Sequence, residues 1–450
     1  MGSDANVSLL PHRELFDTFR SLWRHPRAKR NEVAAFQTRK LRVLVDHAYR
    51  RVPFYRRLLD NAGVGPQDIR RIEDLSLLPI TSSKVFKARP MDDILTKGVK
   101  AERLMIHRTS GSQGRPFNVR RNYWEEHLLN MFRIRAMRQS GLRLWDRIAN
   151  VAVTEGLRPK PDLRVTFPRR LRQALGVYRQ YPLNCMQPEA HLVKALGRLQ
   201  PDIICGYPVV LSHLAQTFQN SRPFSVFPRV VFTGGESLTP YRRQIIGTGF
   251  EAEVFDFYGA NECNLAAWEC PNQGCYHVCD DNIILEIIRN GRPAEKGEKG
   301  EVVITCLHAY AMPFIRYSLG DIAEKGDASC RCGQPFSTLK KIEGRADDYL
   351  HLPGGRSIYP DEIVIPALIG RKRSWVMLYQ LVQEKLDRVD LDIEVLRPPA
   401  PEEVEHMKKA AQDILGPEVE FRLRVVDRIA FERSGKFRIR RSLVKSDFDS

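Results

Sequence analysis

No stretch of this chain approaches the roughly 18–20 consecutive apolar residues that a membrane-spanning helix needs, so a helical membrane span is not expected. Acidic residues are scarce relative to basic ones: 54 Asp and Glu stand against 71 Lys and Arg, a formal net charge of +17. That imbalance raises nucleic-acid binding first, yet no helix-turn-helix pattern, aromatic RNA-binding strand or Cys/His finger accompanies it, and no nucleic-acid partner is expected. Much of the surplus sits in Arg24-His25-Pro26-Arg27-Ala28-Lys29-Arg30 and in Arg158, Arg164, Arg169, Arg170, Arg172 and Arg179. It reads as a solvated basic face; if the face has a partner, an acidic protein or the phosphates of a small molecule suit it better than DNA. The residues from Met1 to Asn6 lack a signal-peptide apolar region and the Ser or Thr that N-myristoylation would want at position six, which places the chain in the cytoplasm by expectation. A Walker-type phosphate loop is also missing, because no Gly-Lys-Ser/Thr follows the glycines after Thr109.

Cysteine is present but not in a disulfide pattern. Nine cysteines cannot all pair, and five of them cluster: Cys270, Cys275 and Cys279 around His277, and Cys330-Arg331-Cys332-Gly333. In a cytosolic chain, such spacing favours metal over disulfide. Structural zinc is tetrahedral and takes thiolates and imidazole, usually as closely spaced pairs. Cys270 with His277 and Cys330 with Cys332 supply two such pairs, with Cys275 or Cys279 as substitutes for His277. Cys185, Cys205, Cys263 and Cys306 sit in apolar sequence and read as inert core residues.

At 450 residues, 43% hydrophobic and 28% charged, the chain has room for two or three globular domains. Apolar residues at helical spacing predict a helix over 37–59 and another over 122–140, ended by Gly141. A strand over 105–109 ends at a Gly/Ser loop. Short apolar runs at 148–153, 203–206, 230–233 and 254–258 alternate with helical stretches at 191–199 and 209–219, the signature of an α/β fold with largely parallel sheets. The runs 283–288, 300–305 and 313–317 are closer together and predict an antiparallel or barrel-like subdomain. Beyond a hinge at Gly344 to Asp348, strands over 375–380, 390–396 and 421–426 and a helix over 402–415 predict a compact α+β unit.

Five motifs follow one another: His107-Arg108-Thr109-Ser110-Gly111-Ser112-Gln113-Gly114-Arg115-Pro116, Tyr258-Gly259-Ala260-Asn261-Glu262, Arg316-Tyr317-Ser318-Leu319-Gly320-Asp321, Gly344-Arg345-Ala346-Asp347-Asp348 and Ser434-Gly435-Lys436. A Ser/Thr/Gly loop wraps phosphates with backbone N–H groups and hydroxyls, and glycines let backbone approach closely. A lone Glu, a lone Asp and a late Lys add a metal ligand, a ribose acceptor and a positive charge. These are the parts needed to activate a carboxylate with ATP, where two anions must meet and pyrophosphate must leave.

That order resembles the adenylate-forming superfamily of acyl-CoA synthetases, adenylation domains and luciferase-like enzymes. The chain is most similar to its phenylacetate-CoA ligase branch, which includes capsule-biosynthesis (CapK-like) and deazaflavin-nucleotidylating relatives. Leu44 to Tyr49 leading into Val52-Pro53-Phe54-Tyr55-Arg56, Gly297 to Thr305 leading into Met312 to Tyr317, and Tyr379-Gln380 with Asp427-Arg428-Ile429 carry the same resemblance, which covers about Leu41 to Val444. It implies a large N-terminal adenylate-forming domain (1–346), with parallel α/β sheets, a small barrel-like subdomain, the ATP and acid site and a zinc knot. A small mobile α+β lid domain (347–450) follows.

The resemblance also implies residue roles. Thr109, Ser110, Gly111, Ser112, Gln113 and Gly114 would hold the β- and γ-phosphates of ATP, with Gln113 standing where relatives carry Thr. Glu262 would hold Mg²⁺, with Asn261 in place of the usual Thr. Tyr258 and Gly259 would lie against the adenine, Gly235 and Glu236 (after Gly234) would line its pocket, and Asp321 would accept the ribose hydroxyls with help from Arg345. Lys436 would bridge acid and phosphate, and Asp347 would be the pivot. Tyr207, Pro208, Val209, Phe257, Tyr258 and Ala260 are the candidate acid pocket. The implied reaction turns an organic acid, expected to be an aryl acid, into an acyl-adenylate and passes it to a thiol, that of CoA first. A carrier-protein phosphopantetheine, an amine or, for nucleotidyl transfer, a hydroxyl are the alternatives. Oligomeric state stays open, a homodimer included.

Overall fold

The computed structural model describes residues 12–108, 117–153, 176–220, 226–272, 274–327, 329–345, 350–358, 360, 363, 375–429, 440–442 and 444. They form two compact units. One comprises the described residues within 1–148, 154–181 and 255–342, the other those within 149–153, 182–254 and 343–450.

The first unit opens with helices α1 (His12–Arg24), α2 (Arg30–Arg51) and α3 (Pro53–Asn61). The single helix expected over 37–59 is two, because Pro53 forces the preceding residue out of the helical region. Val52 is extended at φ −118°, ψ 111°, and Pro53 then starts α3, where its missing N–H costs nothing. Strands β1 (Met105–Arg108) and β2 (Asn118–Arg121) form an antiparallel pair on either side of the Gly/Ser loop. Helix α4 (Tyr123–Gln139) begins with a capping box. The Asn122 side chain accepts from the Glu125 N–H at 2.9 Å, and Glu125 accepts from the Asn122 N–H at 3.0 Å.

In the second unit, strands β3 (Arg147–Ala152), β4 (Arg179–Asn184), β5 (Ile203–Gly206) and β6 (Val230–Gly234) lie in the order β6-β5-β3-β4. β5 and β6 are parallel, as the α/β alternation predicts. Helices α5 (Glu189–Leu199), α6 (Pro208–Asn220) and α7 (Pro240–Phe250) supply Leu196, Leu211, Leu214, Ile246 and Phe250 to a core that also buries Ile204 and Val231.

The chain then returns to the first unit with β7 (Glu253–Tyr258), β8 (Ala267–Glu269), β9 (Tyr276–Val278), β10 (Ile283–Arg289), β11 (Arg292–Pro293), β12 (Lys299–Cys306), β13 (Tyr317–Lys325) and β14 (Thr338–Arg345). Their order is β11-β10-β12-β13-β14-β9-β8-β7, and the pairs β10–β12, β12–β13, β9–β14, β8–β9 and β7–β8 are antiparallel. The strand expected over 313–317 begins only at Tyr317. Arg316 has φ +49°, which breaks the extended run, and its guanidinium is occupied with Glu286 and the carbonyls of Ser76 and Leu78. Phe54, Phe86, Phe117, Phe314 and Tyr317 pack around one another in this core, Phe86 stacking on Phe314 at 5.5 Å.

Residues 346–349 of the expected hinge lie outside the described residues. Past them a short pair, β15 (Leu350–His351) and β16 (Ser357–Ile358), precedes a sheet of β17 (Val376–Lys385), β18 (Arg388–Val395), β19 (Glu420–Val425) and β20 (Arg440–Ser442), ordered β19-β18-β17-β20. Helix α8 (Pro401–Leu415) buries Met407, Ala411 and Leu415 in its core. Within the same unit the Tyr241 hydroxyl and the Gln216 amide both donate to the Val376 carbonyl, at 3.1 and 3.3 Å.

Candidate active site and metal centre

The turn after β7 carries Tyr258-Gly259-Ala260-Asn261-Glu262, and the fold sets it beside the start of β13. Tyr258 donates its phenolic hydrogen to Asp321 Oδ2 at 2.6 Å. Burial and the adjacent Asp321 charge push the Tyr258 hydroxyl well above its ordinary pKa, so it is a fixed donor. Glu262, only 6% exposed, accepts from the Tyr317 hydroxyl at 3.1 Å. Burial raises its pKa, and the Tyr317 hydrogen bond works in the opposite direction. The hard carboxylate oxygens of Glu262 are of the kind that suit Mg²⁺. Glu262 would hold that ion, which would draw charge from a bound phosphate.

Gly259 is required sterically. A Cβ there would lie 2.0 Å from the Asn264 carbonyl oxygen, so the turn closes on itself only with glycine. Asn264 takes φ +65°, a conformation Asn tolerates better than most residues. Its side chain donates to Asn130 Oδ1 at 3.2 Å.

Residues that the motifs did not single out surround this turn together with His107 of the first motif. Arg121, at the end of β2, donates from Nη2 to the Asn261 carbonyl at 2.8 Å, and its Nη1 lies 3.3 Å from Glu126 Oε2. His107 Nε2 lies 3.0 Å from the same oxygen. Burial opposes ionisation of Glu126, but Arg121 and His107 hold it well below the usual carboxylate range. Glu125 Oε1 accepts from the Tyr310 and Ala311 N–H groups at 2.8 and 2.7 Å. The available signal for this cluster was the pair Glu125-Glu126 in the first turn of a helix directly following a basic strand.

Of the expected site residues, Phe257, Tyr258, Gly259, Ala260, Glu262 and Asp321 come together in the first unit. Phe257 is buried and pairs with Trp268 across β7 and β8. Tyr207, Pro208, Gly235 and Glu236 lie in the second unit. There Glu236 accepts from the Val209 N–H at 3.4 Å, capping the start of α6, and Val209 is buried with Leu378 and Ile429. Gly235 has φ +82°. Thr109, Ser110, Gly111, Ser112, Gln113, Gly114, Asp347 and Lys436 lie outside the described residues, as does the side chain of Arg345.

The cysteine pairs converge. Cys270, His277, Cys330 and Cys332 place their ligand atoms within 4.8 Å of one another. Cys270 and Cys330 sulfurs are 3.6 Å apart, and Cys332 Sγ is 3.2 Å from His277 Nε2. Zn–S bonds of about 2.3 Å in a tetrahedron put sulfurs about 3.8 Å apart, so three thiols and one imidazole fit zinc in number, kind and spacing. Cys270 directly follows β8 and His277 lies on β9, while β14, which pairs with β9, follows the second pair. Of the two substitutes, Cys279 is turned elsewhere, its sulfur 3.6 Å from Arg135 and 3.7 Å from Asp281. Cys275 lies outside the four but within 3.6 Å of Cys330. Four filled positions would make the ion a clamp between two loops and leave none open for catalysis.

The CapK C-terminal domain family matches residues 361–442. The chain is 28% identical over 415 residues to the phenylacetate-coenzyme A ligase of Thermus thermophilus, covering 87% of this chain and 86% of that protein. It is 29% identical over 349 residues to the Escherichia coli phenylacetate-coenzyme A ligase, covering 74% and 75%. Among solved structures, 2-hydroxyisobutyryl-CoA ligase in the postadenylation state superimposes with a TM-score of 0.78 at 21% identity, over 98% of this chain and 95% of that one. At that identity the match establishes the fold.

Proposed function

From its similarity to phenylacetate-coenzyme A ligases and the CapK C-terminal domain match at 361–442, we propose that this chain is an AMP-forming acid–thiol ligase of the adenylate-forming superfamily. The acid's carboxylate attacks the α-phosphorus of ATP, pyrophosphate leaves, and the thiolate of CoA then attacks the acyl carbon and displaces AMP. The observation that carries this reading is the meeting of Tyr258, Asp321 and Glu262 around one glycine-dependent turn. We assign Asp321 to the ribose hydroxyls, Tyr258 and Gly259 to the adenine side, Glu262 to Mg²⁺ and Thr109 to Gly114 to the phosphates. Lys436 is the bridging charge, Asp347 the pivot of a lid over 347–450, and Cys270, His277, Cys330 and Cys332 a structural zinc site. The CapK match at 361–442 falls inside that segment.

An aryl acid suits the aromatic side chains of Phe257 and Tyr258. No helix among the described residues is long and apolar enough to cross a membrane; we place the enzyme in the cytoplasm, acting on a small acid. The test is pyrophosphate release from ATP across a panel of aryl and short hydroxy acids, with CoA, a phosphopantetheinylated carrier and amines offered in turn. Acid-dependent release with consumption of CoA supports the reading. Release with consumption of an amine or carrier alone assigns the acceptor differently, and no release with any acid rejects adenylation.

A further inference from the structure

Three side chains on the first turns of α4 each hold a separate piece of chain around the Glu262 turn. Glu125 holds the 310–311 amides. Glu126 faces both strands that flank the Gly/Ser loop, through His107 on β1 and Arg121 on β2. Asn130 holds Asn264 at one end and donates to the Glu126 carbonyl at 2.7 Å and its carboxylate at 3.1 Å at the other. Arg121 closes the circuit by reaching the Asn261 carbonyl at 2.8 Å. Arg121 is 3% exposed, and its Nε has no hydrogen-bond acceptor among the described residues.

We propose that Arg121, oriented by Glu126 and His107, is a positioning residue that sets the Asn261–Glu262 turn for the divalent cation and its nucleotide. The inference rests on the reading of Glu262 as the Mg²⁺ carboxylate. A buried guanidinium is costly unless paired, and a planar fork alone spans a carboxylate on one side and a carbonyl on the other. A structural core would fill this space more cheaply with apolar atoms. The arrangement makes sense where the backbone that carries the next residue, Glu262, must be held in one place. No residue between Arg121 and Asn261 transmits this effect; the contact is direct.

The test uses the full chain and three variants, Arg121→Gln, Arg121→Lys and Glu126→Gln. Each is checked for a cooperative thermal transition, then assayed for Mg²⁺-ATP binding by calorimetry without acid and for the Mg²⁺ dependence of pyrophosphate release. Loss of a charged hydrogen bond at the turn raises the Mg²⁺ half-saturation of Arg121→Gln about tenfold or more, while the rate at saturating Mg²⁺ stays within about threefold of wild type. Arg121→Lys recovers part of the effect, and Glu126→Gln shifts it in the same direction. A folded Arg121→Gln with the wild-type Mg²⁺ requirement overturns the inference, as does an equal loss at every Mg²⁺ concentration. Should Arg121→Gln not melt cooperatively, Glu126→Gln, which keeps shape and removes charge, decides by the same two readouts. A wild-type protein that binds no Mg²⁺-ATP overturns the functional reading itself, and this inference with it.

Discussion

Tyr258 and Asp321, 63 residues apart, are joined by a 2.6 Å hydrogen bond. The pair predicts different costs for its two halves. Asp321→Ala removes an acceptor worth about 1.5–3 kcal/mol when bonded in a buried site, so ATP and AMP should bind about ten- to hundredfold more weakly. Tyr258→Phe keeps the carboxylate and loses only its orientation, which should cost about 1 kcal/mol, or roughly fivefold. Calorimetric titration of both variants checks the order; equal losses would mean that the two act as a structural pair without a nucleotide role.

Gly259→Ala should damage the turn without touching any charged group. The added methyl meets the Asn264 oxygen at 2.0 Å, a backbone atom that cannot swing away. Overpacking of this kind costs about 1–3 kcal/mol. The expected outcome is a lower melting temperature together with a raised Mg²⁺ requirement, read on one preparation; an unchanged melting curve contradicts the steric account.

Zinc content separates the four converging ligands from their neighbours. Wild type and Cys279→Ser should carry about one zinc per chain, whereas Cys330→Ser and His277→Ala should carry less than about 0.2. Cys275→Ser should retain the ion. Strong chelation should lower thermal stability before it lowers activity, because the two clamped loops lie outside the chemistry. Elemental analysis of reduced protein decides.

Acidification should destabilise the protein partly through His308. Burial and the nearby Lys40 charge push its pKa down to about 3, while the unfolded value is near 6.5. Between those values the unfolded chain binds more protons than the native one, so the contribution is full above about pH 6.5 and is lost as pH falls toward 3. The imidazole Nε2 lies 2.8 Å from the Asp281 carbonyl oxygen, and the ring packs on Phe132. His308→Gln should flatten the loss of stability below pH 6.5 in denaturant titrations. An unaltered slope would remove His308 from the acid response.

Much of the fold is legible from local pattern. The start of α4 is readable from Asn122 with Glu125 three residues on, and the parallel β5–β6 pair from apolar runs separated by a helix. The continuous helix over 37–59 failed because a periodicity argument passes over the effect of Pro53 on Val52. The strand at 313–317 failed because Arg316 turns to positive φ to satisfy carbonyls some 240 residues away in sequence. Among the candidate site residues, Glu262, Asp321 and the two cysteine-containing pairs stand out in the sequence because their neighbours mark them. Arg121 does not, and although Tyr317 lies in a motif its contact with Glu262 is not legible, since these partners are 140 and 55 residues distant and local spacing holds no record of such pairings.

The central claim is that this chain makes an acyl-adenylate, and the direct measurement is mass-spectrometric detection of acyl-AMP in a reaction of protein, Mg²⁺-ATP and acid with no acceptor present. The account predicts an acyl-AMP peak with at least one aryl acid, its formation slowed about 10²–10³-fold by Lys436→Ala, while preformed acyl-AMP still reacts with CoA in that variant. Absence of acyl-AMP with every acid, in protein that binds Mg²⁺-ATP, would contradict it.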